Sequence, residues 1–129
     1  MKSYIDEIKF DADGLVPAIV RDAQKGDVLM MAWMDEEALR RTVACGEMVF
    51  WSRSRKEYWH KGATSGNTMR VERWFADCDA DCLLFEVNMQ GPQAACHTGR
   101  RSCFHRRYED SALHTEGEPL FDPGQVYKH

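Results

Sequence analysis

Ala18-Ile19-Val20-Arg21-Asp22, Gln24-Lys25-Gly26-Asp27 and Val28-Leu29-Met30-Met31-Ala32-Trp33 form the stretch that decides the fold. The first segment has the make-up of a short strand, the second is turn chemistry, and the third is a continuous apolar run. Two such runs around a turn predict an antiparallel hairpin with a buried second strand. Gly14 to Pro17 lead the chain into it, and the dozen residues before are mixed and polar.

Downstream, Asp35 is placed to cap a helix over Glu36 to Cys45. Glu36 and Glu37 suit its positive N-terminus, and Gly46 suits its C-terminal stop. Met48 to Ser52 reads as a strand, and Gly62-Ala63-Thr64-Ser65-Gly66-Asn67 as turn chemistry. Strict alternation puts Met69, Val71, Arg73 and Phe75 on one strand face, with Arg70, Glu72 and Trp74 on the other. Leu83, Phe85 and Val87 alternate in a further strand, which Gly91-Pro92-Gln93 ends. Short strands with one main helix predict a β-rich α+β fold, the strands pairing antiparallel. No repeat or linker divides the chain. Its 129 residues form one domain, with a core over about 14–107 and a polar tail over 108–129 that is mobile or laid on the surface.

Seventeen Lys and Arg against 21 Asp and Glu give a net charge of -4. That balance opposes broad nucleic-acid binding and leaves room for a small anionic ligand held by a few local cations. No apolar run approaches the ~20 residues of a membrane span, and the N-terminus lacks the apolar stretch of a secretory signal. A cytoplasmic protein is expected. Its five cysteines then read as ligands, catalysts or core fillers rather than disulfides.

Cys78, Cys96 and Cys103 are separated by seventeen and six residues. Three thiolates without an evident fourth partner suit an open zinc site that keeps a position for water. The spacing matches no zinc-finger pattern, and free cysteine is equally a small buried hydrophobe. Cys45, at a helix end, and Cys82, beside Leu83 and Leu84, fit that second reading. His97 adjoins Cys96. A single histidine is usually a hydrogen-bonded structural group, but beside zinc it serves as a general base.

Asp77, Asp79 and Asp81 recur every second residue, so an extended backbone would align their carboxylates on one face. Three like charges need a cation or solvent, and magnesium takes such oxygen ligands. The alternative is a solvated acidic turn. A calcium EF-hand loop fails, because its sixth and twelfth positions fall on Cys82 and Asn88 rather than glycine and glutamate. Trp51-Ser52-Arg53-Ser54-Arg55-Lys56, Trp59-His60-Lys61 and Thr64-Ser65-Gly66 interleave aromatics, cations and hydroxyls. They suit base stacking and phosphate donation, or else a basic solvated strand edge. Arg100 and Arg101 add cations beside Cys96.

Taken together, Val28-Leu29-Met30-Met31-Ala32-Trp33-Met34, Trp51-Ser52-Arg53-Ser54-Arg55, Trp59-His60-Lys61-Gly62, Thr64-Ser65-Gly66, Asp77-Cys78-Asp79-Ala80-Asp81, Ala95-Cys96-His97-Thr98-Gly99 and Ser102-Cys103-Phe104 resemble phosphoribosyl-AMP cyclohydrolases. Those enzymes of histidine biosynthesis open the adenine ring of 1-(5-phosphoribosyl)-AMP at the C6–N1 bond. The resemblance implies one zinc per subunit on Cys78, Cys96 and Cys103, and magnesium on Asp77, Asp79 and Asp81. It also implies an intertwined homodimer whose zinc sites take cysteines from both subunits. On this reading zinc-activated water attacks C6 with His97 as base, while Trp51, Arg53, Lys61, Thr64, Ser65 and Arg100 bind the nucleotide. Ala63 stands where the family usually has glutamate, and the loop 90–95 is about two residues longer than usual. A zinc nucleobase deaminase would need H-x-E followed by P-C-x-x-C, and no such pair occurs: His97 is followed by Thr98-Gly99, and Pro92 by Gln93. A small zinc-bearing interaction module would need a fourth ligand and no aspartates.

Overall fold

The computed structural model of the chain describes residues 3–123; residues 1, 2 and 124–129, the latter within the predicted tail, lie outside the described residues. Ahead of the predicted core the chain forms a four-residue helix, α1 (Tyr4–Glu7), closed by a capping box between Ser3 and Asp6. Ile5 and Ile8 bury themselves in the main core, so that core begins earlier than residue 14. Composition concealed this because the few apolar residues of the segment, Tyr4, Ile5, Ile8 and Phe10, are spaced among polar ones.

The predicted hairpin forms. Strands β1 (Val16–Asp22) and β2 (Val28–Met34) pair antiparallel, with Val16 opposite Met34 and Val20 opposite Met30. Period-two alternation leaves Val16, Ala18 and Val20 with no exposed surface. Asp22 closes the turn by accepting from the amides of Gln24 and Lys25, at 3.3 and 2.6 Å. Helix α2 (Glu36–Cys45) follows, with Asp35 accepting from Ala38 N at 2.8 Å and Gly46 in the left-handed conformation at φ 76. Ala38, Leu39 and Thr42 form its buried face.

Strands β3 (Val49–Ser52) and β4 (Glu57–His60) pair antiparallel, as do β5 (Met69–Ala76) and β6 (Leu83–Met89). The six strands make one sheet in the order β4-β3-β2-β1-β6-β5. Within it β1 and β6 run parallel, Ala18 opposite Leu83 and Asp22 opposite Val87, which corrects the expectation of antiparallel pairing throughout. Burial decides the arrangement. Leu83, Phe85 and Val87 are fully buried, whereas β5 is largely exposed, so β6 takes the interior place and β5 the edge. The sheet then curls. Met48 N donates to Met69 O at 3.0 Å and Val71 N to Gly46 O at 2.8 Å, tying the start of β5 to the chain ahead of β3.

A second correction concerns β5. The register with β6 shifts between Val71 and Arg73, a bulge that adds one residue at Glu72. Beyond it the faces exchange. Trp74 turns inward and stacks on Phe85 at 5.4 Å between ring centroids, and Phe75 turns outward with 48% exposure. The tail is also more ordered than its composition suggests: β7 (Arg106–Glu109) and β8 (Ala112–Thr115) form a separate exposed hairpin. Beyond it, Leu120 N donates to Gly99 O at 2.6 Å. Among the described residues no helix is long and apolar enough to cross a membrane.

Candidate active site

The site residues descend from the two ends of the β5–β6 hairpin. At its closed end, Asp77 to Cys82 make a tight turn rather than the extended segment expected. Asp77 Oδ1 accepts from the amides of Asp81 and Cys82, at 3.0 and 3.3 Å, and Ala80 takes a positive φ of 59. The turn still gathers the carboxylates of Asp77, Asp79 and Asp81, whose nearest oxygens lie within 4.8 Å of one another, all on exposed residues. Their titration reflects the crowding. At Asp77, desolvation raises the carboxyl, but donation from the Asp81 and Cys82 amides outweighs it and the group sits below its ordinary value. At Asp81, the hydrogen bond with Asp79, then desolvation and the neighbouring charges, push the carboxyl upward. A divalent cation relieves that repulsion, so oxygen chemistry and geometry both fit magnesium.

At the open end, the chain leaving β6 turns back across the sheet. Ala94, Ala95 and Cys96 are buried, and Cys103 N donates to Leu29 O at 2.7 Å. This brings the Cys103 thiol beside that of Cys96. Crowding by the surrounding protein, then the neighbouring Cys96 sulfur, push the Cys103 thiol up to about 12, against the opposing charge of Lys61. Thr98 donates its hydroxyl hydrogen to Cys96 Sγ at 3.0 Å. Two sulfurs held side by side are a donor pair that a soft divalent cation stabilises as thiolates.

Cys78 is not with them. It sits exposed on the acidic turn, at the far end of a seven-residue strand that spans ~20 Å. Within one chain, then, the predicted trio is split into a pair and a single thiol. The remaining cysteines differ from expectation in part. Cys82 is half-buried and its thiol is pushed upward, chiefly by burial. Cys45 is exposed, its Sγ directed at Glu47 O at 3.4 Å, so it is no core filler.

Near the cysteine pair a cavity of about 560 Å³ runs along β4, the sheet's edge strand, from the β3–β4 turn to the turn over 61–66. Of the residues that the sequence reading put forward for substrate binding and catalysis, Lys61, Thr64, Ser65 and His97 line it. Trp51, Arg53 and Arg100 do not. Trp51 packs on Tyr58 at 4.9 Å, Arg53 lies over the Trp33 ring at 4.6 Å, and Arg100 donates to Gly117 O at 3.2 Å. Lys61 itself is buried, 5% exposed, and donates its ammonium hydrogens to Ala95 O beside the cysteines. Desolvation lowers its pKa against the pull of Cys103 and Cys96.

The lining also includes Ser52, Arg55 and His60, which sequence reading left unassigned. Their signal lay within the Trp-and-cation segments already singled out. The pairing of His60 Nε2 with Glu47 Oε1, at 2.7 Å across thirteen residues, had none. Asn67, fully buried, accepts from Ala94 N at 2.9 Å and so fastens the cysteine loop to the cavity's turn.

Comparison with known proteins places the sequence. The sequence profile of phosphoribosyl-AMP cyclohydrolase matches residues 30–105. A phosphoribosyl-AMP cyclohydrolase of Salinibacter ruber is 55% identical over 124 residues, covering 96% of each chain. One of Pelotomaculum thermopropionicum is 56% identical over 124 residues, 95% of each. One of Methylibium petroleiphilum is 50% identical over 128 residues, 98% of this chain and 99% of its own. With its profile match over the site segments and its identity to these enzymes along nearly its whole length, the chain belongs to the phosphoribosyl-AMP cyclohydrolase family.

Proposed function

We propose that this chain hydrolyses the C6–N1 bond of 1-(5-phosphoribosyl)-AMP in histidine biosynthesis, as a homodimer that needs zinc and magnesium. The observation that carries the zinc requirement is the adjacency of the Cys96 and Cys103 sulfurs beside a cavity lined by His97. The separation of Cys78 from that pair supports a shared site, in which a second copy of the chain supplies the third thiolate. A two-fold dimer supplies it twice, giving one zinc per subunit. Asp77, Asp79 and Asp81, on the same turn as Cys78, would hold magnesium close to the completed site.

Zinc, when bound, supplies the Lewis acidity that makes water nucleophilic near neutral pH. The chain's own residues do the rest. The ribosyl group on N1 leaves C6 electron-poor, and the cavity holds that ring within reach of His97. His97 takes the proton of the water that adds to C6 and passes it to N1 as the C6–N1 bond breaks. Because three thiolates donate more charge to zinc than three imidazoles, a base in this position carries more of the work. The buried Lys61, bonded to Ala95 O, keeps the Cys96 loop in place and offsets the sulfur charge.

Metal analysis and absorbance-followed turnover on the purified protein test the reading. One zinc per subunit is expected, and Cys96→Ser should lose metal and turnover together. Full turnover by zinc-free protein defeats the zinc role. His97→Ala should keep its metal and slow turnover about a hundredfold, and an unchanged pH–rate profile excludes it as the base.

A further inference from the structure

Arg101, Ser102 and Cys103 dock on Asp27, Val28 and Leu29 residue for residue. Arg101 donates from Nε to Asp27 Oδ2 at 2.9 Å and from Nη2 to Asp27 Oδ1 at 3.1 Å. Ser102 Oγ donates to Val28 O at 2.8 Å, and Cys103 N donates to Leu29 O at 2.7 Å. A second carboxylate, through Asp22 Oδ1, lies 3.6 Å from Arg101 Nη2. It is fixed in its turn, because its other oxygen accepts from the Gln24 and Lys25 amides. Arg101 is thus held between two carboxylates of the β1–β2 hairpin, with its side chain 24% exposed.

The same residue closes the cysteine loop through its backbone. Ala95 N donates to Arg101 O at 2.8 Å, and Cys96 N donates to Arg100 O at 3.1 Å. Arg101 therefore joins the arm that carries Cys96 to the arm that carries Cys103, and fastens both to the hairpin. The three docking links differ in what they specify. Ser102 Oγ lies 3.3 Å from Leu29 O as well as 2.8 Å from Val28 O, so the hydroxyl can serve either carbonyl. The guanidinium and the Asp27 carboxylate meet as a planar two-point pair, which a slip of one residue destroys. Such a slip would also carry the Cys103 sulfur away from Cys96. We propose that Arg101, paired with Asp27, is a positioning residue that holds the Cys103 sulfur in register with Cys96 for the metal. The inference rests on the zinc reading of this cysteine pair and extends it from the ligands to what aligns them.

The test uses full-length protein and the variants Arg101→Gln, Arg101→Lys, Asp27→Asn and Arg21→Gln, with zinc affinity read by competition against a chromophoric chelator. Arg101→Gln should weaken zinc binding about tenfold to a hundredfold, the range for groups that orient metal ligands. Asp27→Asn should do the same, and the double variant should lose no more than either alone, because the two side chains act as one unit. Arg101→Lys keeps the charge without the planar fork and should fall between. Arg21→Gln breaks the ion pair with Glu86 in the same hairpin and controls for lost stability. It should lower the urea midpoint and leave zinc affinity unchanged. Zinc affinity untouched by Arg101→Gln, or weakened as much by Arg21→Gln, overturns the positioning role while the zinc reading stands. If the unaltered protein holds no zinc, the zinc reading falls, and phenylarsine oxide, which bridges two neighbouring thiols, still decides the alignment. With Cys45, Cys78 and Cys82 replaced by serine, metal-free protein should lose affinity for that arsenical on Arg101→Gln, and equal binding overturns the proposal.

Discussion

Asp35 and Tyr58 are joined by a hydrogen bond of 2.7 Å, the phenol donating to Oδ2 while Oδ1 caps helix α2. One carboxylate therefore ties the helix start to the edge strand that walls the cavity. Asp35→Ala removes both bonds and should cost about 2 kcal/mol, and Tyr58→Phe, which removes one, about 1 kcal/mol. Urea denaturation at fixed protein concentration measures both.

Burial, then the Asp35 bond, push the Tyr58 hydroxyl up to about 12. A raised folded value favours the protonated form. Its contribution is therefore whole below the unfolded value of ~10 and is lost as pH rises through 12. Ultraviolet titration of the phenolate should show one tyrosine titrating late, and Tyr58→Phe should remove that step.

Glu86 is buried in the sheet between Arg21, 2.5 Å away, and Arg73. The Arg21 hydrogen bond, working against desolvation and joined by both guanidinium charges, holds the carboxyl below its ordinary range. The stabilisation is present above the unfolded value of ~4.3 and disappears as pH falls through the lower folded value. Glu86→Gln should flatten the acid limb of a stability–pH curve below the unfolded value of ~4.3. An acid limb of undiminished slope would show that other carboxylates govern it.

Gly62 and Gly66 share a positive φ, 87 and 82, but not their surroundings. A Cβ at Gly62 collides with the backbone of Asn67 and Thr68, whereas one at Gly66 meets nothing within 4 Å. Gly66→Ala should cost about 1 kcal/mol for the conformation alone. Gly62→Ala should cost about 3 kcal/mol and weaken substrate binding with it, because the cavity's turn must shift. Thermal denaturation and KM, read side by side, separate the two.

A shared zinc site predicts complementation between two inactive variants. Cys78→Ser and Cys96→Ser each spoil every site in their own homodimers. In the mixed dimer both lesions fall on one site and leave the other whole. Refolding equal amounts together should restore about a quarter of normal activity, since half the dimers are mixed and half their sites intact. Recovery of none would place all three thiols within one chain.

Sequence made the β1–β2 hairpin and helix α2 legible because their signals are local: a turn between apolar runs, and caps at both ends of ten residues. The parallel β1–β6 pairing was illegible because it depends on which distant strand is apolar enough for the interior. The aspartates were correctly grouped for an incorrect reason, since a turn rather than an extended strand gathers them. His97 was singled out beside Cys96 and Lys61 in the Trp59-His60-Lys61 segment, and the fold brings both into the lining of one cavity. Arg53 was favoured for substrate, and nothing local says that it lies over Trp33, twenty residues earlier, while Arg55 lines the cavity.

The extra residue at Glu72 makes strand length, rather than strand composition, the quantity that phases what comes after it. Excising it would act as a half-turn of the ribbon: Trp74 would swing into water, Phe75 would be forced onto Phe85, and the carboxylates and thiol beyond Ala76 would leave the sheet aimed the opposite way. In the proposed dimer a second subunit would meet the wrong side of the loop, so a one-codon deletion far from the cysteine pair should abolish turnover.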